Sequence, residues 1–363
     1  MTAAKAACAV ARRAALARGG AAAGRRTAAA PWGLAGKTAL RALSTTIPAD
    51  GIARNPMQAA RIARQLSDSP QHSKPETPMS VTFVGGGKMA EAIIGGLVKN
   101  PASFKVTGAV DINRKRRAHL DREYGIKTFE SVQDAKECLR ETDLLVVAIK
   151  PQVANKVFAE VRSVLPAPED RERDLTAISI LAGIPIKKLR DGLGIDSICR
   201  SMPNTPAQAQ AGMTVWTTSG PISPDRRRAL ANLFEVIGEE EYVSDEDLLD
   251  ASTALSGSGP AYFLMTMEAL IDSGVHMGLS RDLATRLVQQ TMYGTAIHVA
   301  ESDKHPAVLR NDITSPGGTT SYALYMAERG GLRTTLSDSI WAAYRRSREL
   351  GEKDSEIGPV LNR

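Results

Sequence analysis

Two glycine-rich stretches of this chain carry the residue types that hold small anions. The first is Gly85-Gly86-Gly87-Lys88-Met89-Ala90, a G-x-G-x-x-A pattern preceded by Val81-Thr-Phe-Val84 and followed by Glu91-Ala-Ile-Ile94. In such a turn Gly85 makes the tight bend and Gly87 has no Cβ to block a pyrophosphate. Ala90 lets the following helix pack closely on its strand, and that helix offers unpaired N–H groups and the positive end of its dipole to phosphate. A strand before the pattern, a helix after it and a second strand at the right distance favour a dinucleotide site over a turn needed only for packing.

The second strand of that unit ends at Asp111, 21 residues past Ala90. An acid there accepts from the ribose 2′-hydroxyl of NAD, whereas cations nearby accommodate the 2′-phosphate of NADP. Both signals are present, because Asn113-Arg114-Lys115-Arg116-Arg117 follows at once. Arg114 is the candidate for the 2′-phosphate. The run reads equally as a solvated helix face.

The second anion-holding stretch is Ser315-Pro316-Gly317-Gly318-Thr319-Thr320. Its glycines expose backbone N–H groups, hydroxyls flank them, and a helical pattern starts directly after. Without further context it is also a plain turn with a threonine helix cap. Ser256-Gly-Ser-Gly-Pro260, with Thr253 close by, opens another helix and reads as a junction or as a pocket wall. The chain has no Ser-His-Asp, paired-carboxylate or Cys-His pattern. No motif in it therefore marks a protein nucleophile.

These residues need a scaffold, and the pattern provides two. Short apolar runs at 81–84, 106–110, 144–149, 176–180 and 195–199 alternate with amphipathic stretches. Continuous runs of this kind suit strands buried on both faces of a parallel sheet, so the fold class expected for 80–245 is α/β, a Rossmann-type doubly wound sheet. Ala148-Ile149-Lys150-Pro151 then falls at the carboxyl edge of a strand, where ligands of such sheets bind. Beyond about 246 the β pattern stops. Helices are expected over 259–278, 281–301, 320–329 and 332–350, with Gly278, Gly330 and Gly351 as stops. Faces rich in Met, Ala and Leu point to burial against a second copy, so 246–351 reads as a helical dimerisation domain and 352–363 as a tail.

The 363 residues are 43% apolar and 24% charged, ordinary globular usage that excludes disordered, collagen-like and disulfide-scaffold classes. The net charge of +6 misleads. Residues 1–49 hold eight Lys or Arg and no acid, which leaves −2 for the remainder, so the charge is no argument for nucleic acid. An Ala- and Arg-rich, acid-free segment over 1–48 reads as a transit peptide, for the mitochondrion or alternatively the chloroplast, with a plain cytosolic tail as the bland reading. Proline-spaced polar residues over 49–79 read as a linker, with a short helix around 57–66. No apolar run approaches the ~20 residues of a membrane span, so insertion is not expected. Three cysteines without ligand spacing give no metal site and no disulfide framework.

Four further segments carry a resemblance. They are Ala148-Ile-Lys-Pro-Gln152, Arg200-Ser-Met-Pro-Asn-Thr-Pro-Ala207, Leu255-Ser-Gly-Ser-Gly-Pro-Ala-Tyr262 and His305-Pro with Asp312-Ile-Thr-Ser-Pro-Gly-Gly-Thr-Thr320. In this order and spacing, with the glycine turn, the chain resembles the pyrroline-5-carboxylate reductases over about 80–350. The resemblance implies a Rossmann domain followed by a helical domain that interlocks with its dimer mate, dimers joined into larger rings, and reduction of 1-pyrroline-5-carboxylate to L-proline with NADPH or NADH. It implies that Ser315, Gly317, Gly318, Thr319 and Thr320, with Thr253 nearby, bind the substrate, Thr320 at the ring nitrogen. It further implies that Gly85, Gly86, Gly87, Lys88, Met89, Ala90, Asp111, Arg114, Ala148, Ile149, Lys150, Pro151, Asn204 and the turn Ala182-Gly183 line the cofactor. Lys88 and Asp111 depart from the residues usual in that family, and Asp111 puts the usual NADPH preference in doubt. The competing readings are a reductase of another cyclic imine or a β-hydroxyacid, and a nucleotide-binding protein without catalysis.

Overall fold

The computed structural model describes residues 77–167, 170–171 and 174–359. The transit segment and nearly all of the linker, with its helix near 57–66, lie outside them. Eight strands form one sheet in the order β3-β2-β1-β4-β5-β6-β7-β8. They are β1 (Met79–Val84), β2 (Phe104–Val110), β3 (Thr128–Phe129), β4 (Leu144–Val147), β5 (Thr176–Ser179), β6 (Ser197–Met202), β7 (Gly212–Thr218) and β8 (Gly238–Tyr242). The first six strands follow the doubly wound order 3-2-1-4-5-6.

The apolar runs become strands because each strand serves two cores. Val81 and Phe83 of β1, with Leu144 and Val146 of β4, pack under helix α1 (Lys88–Val98). Val84, Leu145 and Val147 point the other way, into a second core. Helices α4 (Ala154–Val164) and α5 (Ile186–Leu193) cover that second face with Phe158, Val161 and Leu189. A period of two with both faces dry leaves no polar alternation to read. Between them in the chain lie α2 (Arg114–Tyr124) and the short α3 (Lys136–Arg140).

The sheet is not wholly parallel, which corrects the expectation. β7 runs antiparallel to β6, and β8 then pairs parallel to β7. Helix α6 (Pro224–Glu235) joins them, capped by Ser223, whose Oγ accepts from Arg226 N–H. The outer strand, Gly-Glu-Glu-Glu-Tyr, carries three acids in a row, a charge pattern that guards an edge against further pairing and hides the strand from a propensity reading.

The second half is helical: α7 (Leu248–Ser252), a π turn (Thr253–Gly257), α8 (Gly259–His276), α9 (Arg281–Ala300), α10 (Pro306–Asp312), α11 (Thr319–Arg329) and α12 (Leu332–Leu350). Helices α8 and α9 pack on each other where Gly274 meets Ala284. Little else of α8 is buried: Phe263, Leu264 and Met265 are each more than 60% exposed, as are Tyr322 and Tyr325 of α11. Apolar faces of this extent in one chain are the mark of an interface. No helix among the described residues is long and apolar enough to cross a membrane.

Candidate active site

The glycine loop follows β1 and meets the loop after β4 at the point where the sheet order reverses. There Ala148 N–H donates to Val84 O at 2.8 Å. Gly85 sits at φ +101°, and a Cβ on it would lie 2.3 Å from Ala148 O, so only glycine fits the bend. Gly87 is the N-cap of α1 in an extended conformation, and a Cβ there would meet nothing within 4 Å. That open space lies in front of a helix N-terminus. Ala90 is fully buried against the first core, as close packing of α1 requires. Met89 is half-buried against that core, and Lys88 reaches into solvent with Nζ 3.4 Å from Glu91 Oε2.

Asp111 works on the loop itself. Its Oδ2 accepts from Gly86 N–H and its Oδ1 from Asn113 N–H, both at 2.8 Å. From the other side Arg116 donates to Gly86 O through Nε (2.8 Å) and NH2 (2.6 Å). The Gly86 peptide is therefore gripped at both ends. Arg114 stands exposed at the first turn of α2, where Asn113 is the cap, and its side chain has no partner among the described residues. The basic run thus divides. Arg116 braces the loop, Arg117 holds Asp111 O and Glu130, and Arg114 with Lys115 face outward.

Sequence reading missed Glu91. Its carboxylate gathers Arg116 (2.9 Å) and His119 Nε2 (2.6 Å) under the glycine loop. Burial would raise its pKa, but the His119 and Arg116 hydrogen bonds and the Arg116 and Lys88 charges outweigh this and hold it at about 2. A depressed folded pKa adds stability above the ordinary value near 4.5, and that stability is lost as pH falls toward 2. Glu91→Gln is therefore expected to lower the melting temperature at pH 7 and to flatten its acid dependence between these values. A variant with the acid limb of the parent would remove Glu91 as its source.

The remaining expected cofactor residues spread along the same edge. Ala148 and Ile149 are half-buried, Lys150 is exposed as the cap of a 3-10 turn (Pro151–Val153), and Pro151 begins that turn. Ala182 is half-buried. Gly183, at φ +72°, is where the end of α12 lands, and a Cβ on it would lie 2.5 Å from Leu350 Cβ. Its first structural duty is thus to join the two halves. Asn204 has a similar one. Its Oδ1 accepts from Met213 N–H at 2.8 Å, and its Nδ2 donates to Ser256 Oγ at 3.2 Å, tying the end of β6 to the π turn. Thr253 Oγ donates back to Leu249 O of α7 at 2.7 Å, and Ser258 N–H closes the π turn on Thr253 O at 2.8 Å. Such i→i+5 turns are frequent at functional sites.

The segment 315–320 stands on the helical half. Gly317 lies at φ +69°, and Gly318 caps α11. The segment's hydrogen bonds stay local, with Gly318 N–H donating to Ser315 O and Ser321 Oγ to Gly318 O. Thr319 and Thr320 occupy the first two helical positions, and their hydroxyls have no partner among the described residues. The backbone N–H groups there share the anion-holding geometry of the α1 terminus. The structure therefore brings the glycine loop and the 148–151 loop together, and Asn204 to the π turn, while no hydrogen bond among the described residues joins the segment 315–320 to either.

A dinucleotide-binding sheet at a topological switch point, joined to a helical half with exposed apolar faces, defines the class: a two-domain nucleotide-dependent oxidoreductase. A family model for pyrroline-5-carboxylate reductase dimerisation matches residues 246–350, and one for NADP oxidoreductase, coenzyme F420-dependent, matches 80–183. The pyrroline-5-carboxylate reductase of Arabidopsis thaliana is 37% identical over 280 residues, 77% of this chain and 98% of that protein. The solved structure of the enzyme from Coxiella burnetii superposes with a TM-score of 0.66 at 31% identity, covering 74% of this chain and 97% of that one. The Plasmodium falciparum pyrroline carboxylate reductase, solved with NADP bound, gives 0.65 at 29% identity over 75% of this chain and 98% of its own. This chain belongs to the pyrroline-5-carboxylate reductase family.

Proposed function

We propose that this chain reduces the imine of 1-pyrroline-5-carboxylate to L-proline, the last step of proline biosynthesis, at the expense of NADPH or NADH. One observation carries the reading. In a member of this family, the helix start after Gly318 presents two threonine hydroxyls and their backbone N–H groups with no partner among the described residues. A protein that only bound a nucleotide would have no use for such a clamp.

The residues at the sheet edge fit the nucleotide. The space before Gly87 admits a pyrophosphate to the α1 terminus, and Asp111 and Arg116 hold the loop in shape before it arrives. When bound, the reduced nicotinamide supplies a hydride to the imine carbon. The clamp's N–H groups of Gly317, Thr319 and Thr320 take the substrate carboxylate, with Ser315 and the Thr319 hydroxyl beside them. Thr320 Oγ orients the ring nitrogen and keeps its proton in place as the C=N electron pair moves onto nitrogen. Orientation of two bound reactants supplies most of the acceleration, consistent with a site that has no protein nucleophile. Arg114, exposed beside the loop, is placed for a 2′-phosphate, and Lys150 and Pro151 for the nicotinamide end.

Because the clamp makes no hydrogen bond to the sheet domain among the described residues, the complete site forms between subunits. The exposed faces of α8 and α11 seat a second copy, and dimers assemble into larger rings. Residues 1–48 direct the chain to the mitochondrion, or alternatively the chloroplast; a fluorescent fusion of that segment that stays in the cytosol would dismiss this. The activity is tested by oxidation of NADPH and NADH, side by side, with purified protein and pyrroline-5-carboxylate, with proline as the measured product. Failure of both cofactors to be oxidised would defeat the proposal.

A further inference from the structure

The chain does not end where the family's dimerisation region does. Residues 351–359, just past that region, fold back along α12. Arg348 Nε donates to Asp354 O at 2.5 Å, Arg345 Nε to Ile357 O at 2.9 Å, and Gly358 lies against the Trp341 ring. This strap carries Lys353 into the junction between the two halves. Lys353 Nζ donates to Asp247 Oδ1 and Asp250 Oδ2, each at 2.7 Å.

Asp250 is fully buried and collects donors from three elements. Arg200 of β6, itself 3% exposed, reaches Oδ1 at 3.1 Å; Ser347 of α12 reaches the same oxygen at 3.0 Å; Lys353 takes the other. The same Arg200 holds Glu246 at 2.7 Å, and Glu246 caps α5 by accepting from Ile186 N–H. Arg348 faces Asp247 at 3.8 Å. Two arms leave this knot. Two residues after Arg200, Met202 packs on Gly257, and Asn204 then grips Ser256. Three residues after Asp250, Thr253 begins the π turn. Both arms end on the turn 253–257.

We propose that Lys353 is a positioning residue for substrate binding: by holding Asp250 against Arg200, the C-terminal strap sets the π turn and its Thr253–Ser256 wall. Lys353 touches no reactant. The inference rests on the proposed reduction for its kinetic readout only. Burial pushes the Asp250 carboxyl up, and the Lys353 hydrogen bond, the Arg200 and Lys353 charges and Ser347 pull it below the ordinary carboxylate range. Loss of Lys353 leaves the burial effect opposed chiefly by Arg200. The carboxyl then takes a proton at higher pH than in the parent, and the grip on Arg200 weakens as pH falls.

The experiment compares full-length Lys353→Met, Lys353→Gln and Lys353→Arg. In Lys353→Met, KM for pyrroline-5-carboxylate should rise about tenfold, as expected for a lost ~1.4 kcal/mol of binding. The NADPH dissociation constant should change much less than KM, because the glycine loop and the 148–151 loop lie outside the knot and only Asn204 is shared. A new acidic limb should appear in kcat/KM, and exchange of the Ser258 amide, which closes the turn on Thr253 O, should accelerate. Lys353→Arg should restore all of these. Parent-like KM, pH profile and exchange in Lys353→Met would overturn the proposal. Should that variant not fold, the same comparison in Lys353→Gln, which keeps the amide's donors but loses the charge, decides. If the parent turns nothing over, the proposed reduction falls, while amide exchange in the variants still settles the role of the strap.

Discussion

Gly87→Val is expected to abolish measurable nucleotide binding while leaving the fold intact. The two outcomes separate because of where this glycine stands. At φ −65° and ψ −179° its backbone is in a region open to any residue, and among the described residues nothing beyond its chain neighbours lies within 4 Å of an added Cβ. The valine methyls therefore project only into the space before the α1 terminus. A pyrophosphate must use that space to reach the free N–H groups of the helix. Excluding it should weaken NADPH by at least about a hundredfold, close to 3 kcal/mol. The melting temperature should stay within about 3 °C, the shift of one kcal/mol in a chain of this size. The neighbouring Gly85 predicts the reverse cause for a similar loss. An alanine there must adopt a left-handed backbone and drive its Cβ into Ala148 O, so Gly85→Ala should lose on the order of 3 kcal/mol of stability. Fluorescence titration with NADPH and a thermal melt of each variant check both. A Gly87→Val protein that binds normally would show that the phosphates lie elsewhere.

What the sequence discloses here depends on how local the cause is. The glycine turn is legible because its three requirements (bend, approach and helix start) are met by adjacent residues. The five apolar runs are legible because strands buried on both faces cannot hide their composition. β8 is not, since its alternation is written in glutamates at an edge. β7 is lost for another reason. Its antiparallel direction follows from the short turn after Asn204, whose cause is the bond from Met213 N–H to the Asn204 side chain. Two of the residues expected at the cofactor also carry contacts that no motif reveals. The packing partners of Gly183 and Asn204, Leu350 and Ser256, lie 167 and 52 residues away. No window of the chain contains both members of such pairs. The same holds for Glu91 and Arg116, and for Arg200, Asp250 and Lys353, where charges of opposite sign are brought together only by the fold. Motif spacing pointed to open surfaces with free backbone N–H groups at helix starts. It could not find the side chains that hold those surfaces in place.

Thr320→Ala is expected to lower kcat about a hundredfold with little effect on NADPH affinity or on the melting temperature. Thr320 is the second residue of α11, and Gly318, not a threonine, caps that helix. Its hydroxyl has no partner in the described chain, so alanine removes no internal hydrogen bond, and alanine is at least as good a helix former. The stability effect should therefore be within about 0.5 kcal/mol. The catalytic effect is of another order. A positioned proton donor or holder contributes typically ~10²–10⁴-fold, and the larger values belong to groups that alone carry a proton in flight. Here the imine already bears its proton, and the hydroxyl has to fix the ring nitrogen and follow its charge as it becomes an amine, which places the effect at the lower end. Thr320→Ser keeps the oxygen and should recover most of the rate, since the γ-methyl makes no chemical contribution. The neighbouring Thr319→Ala separates the two hydroxyls. If Thr319 serves the carboxylate with the backbone N–H groups, its loss should raise KM for the imine acid more than it lowers kcat. Equal kinetics for Thr320→Ala and the parent would leave the clamp as a helix start alone, and the proton of the ring nitrogen would have to be held by a group from the partner's sheet domain or by water.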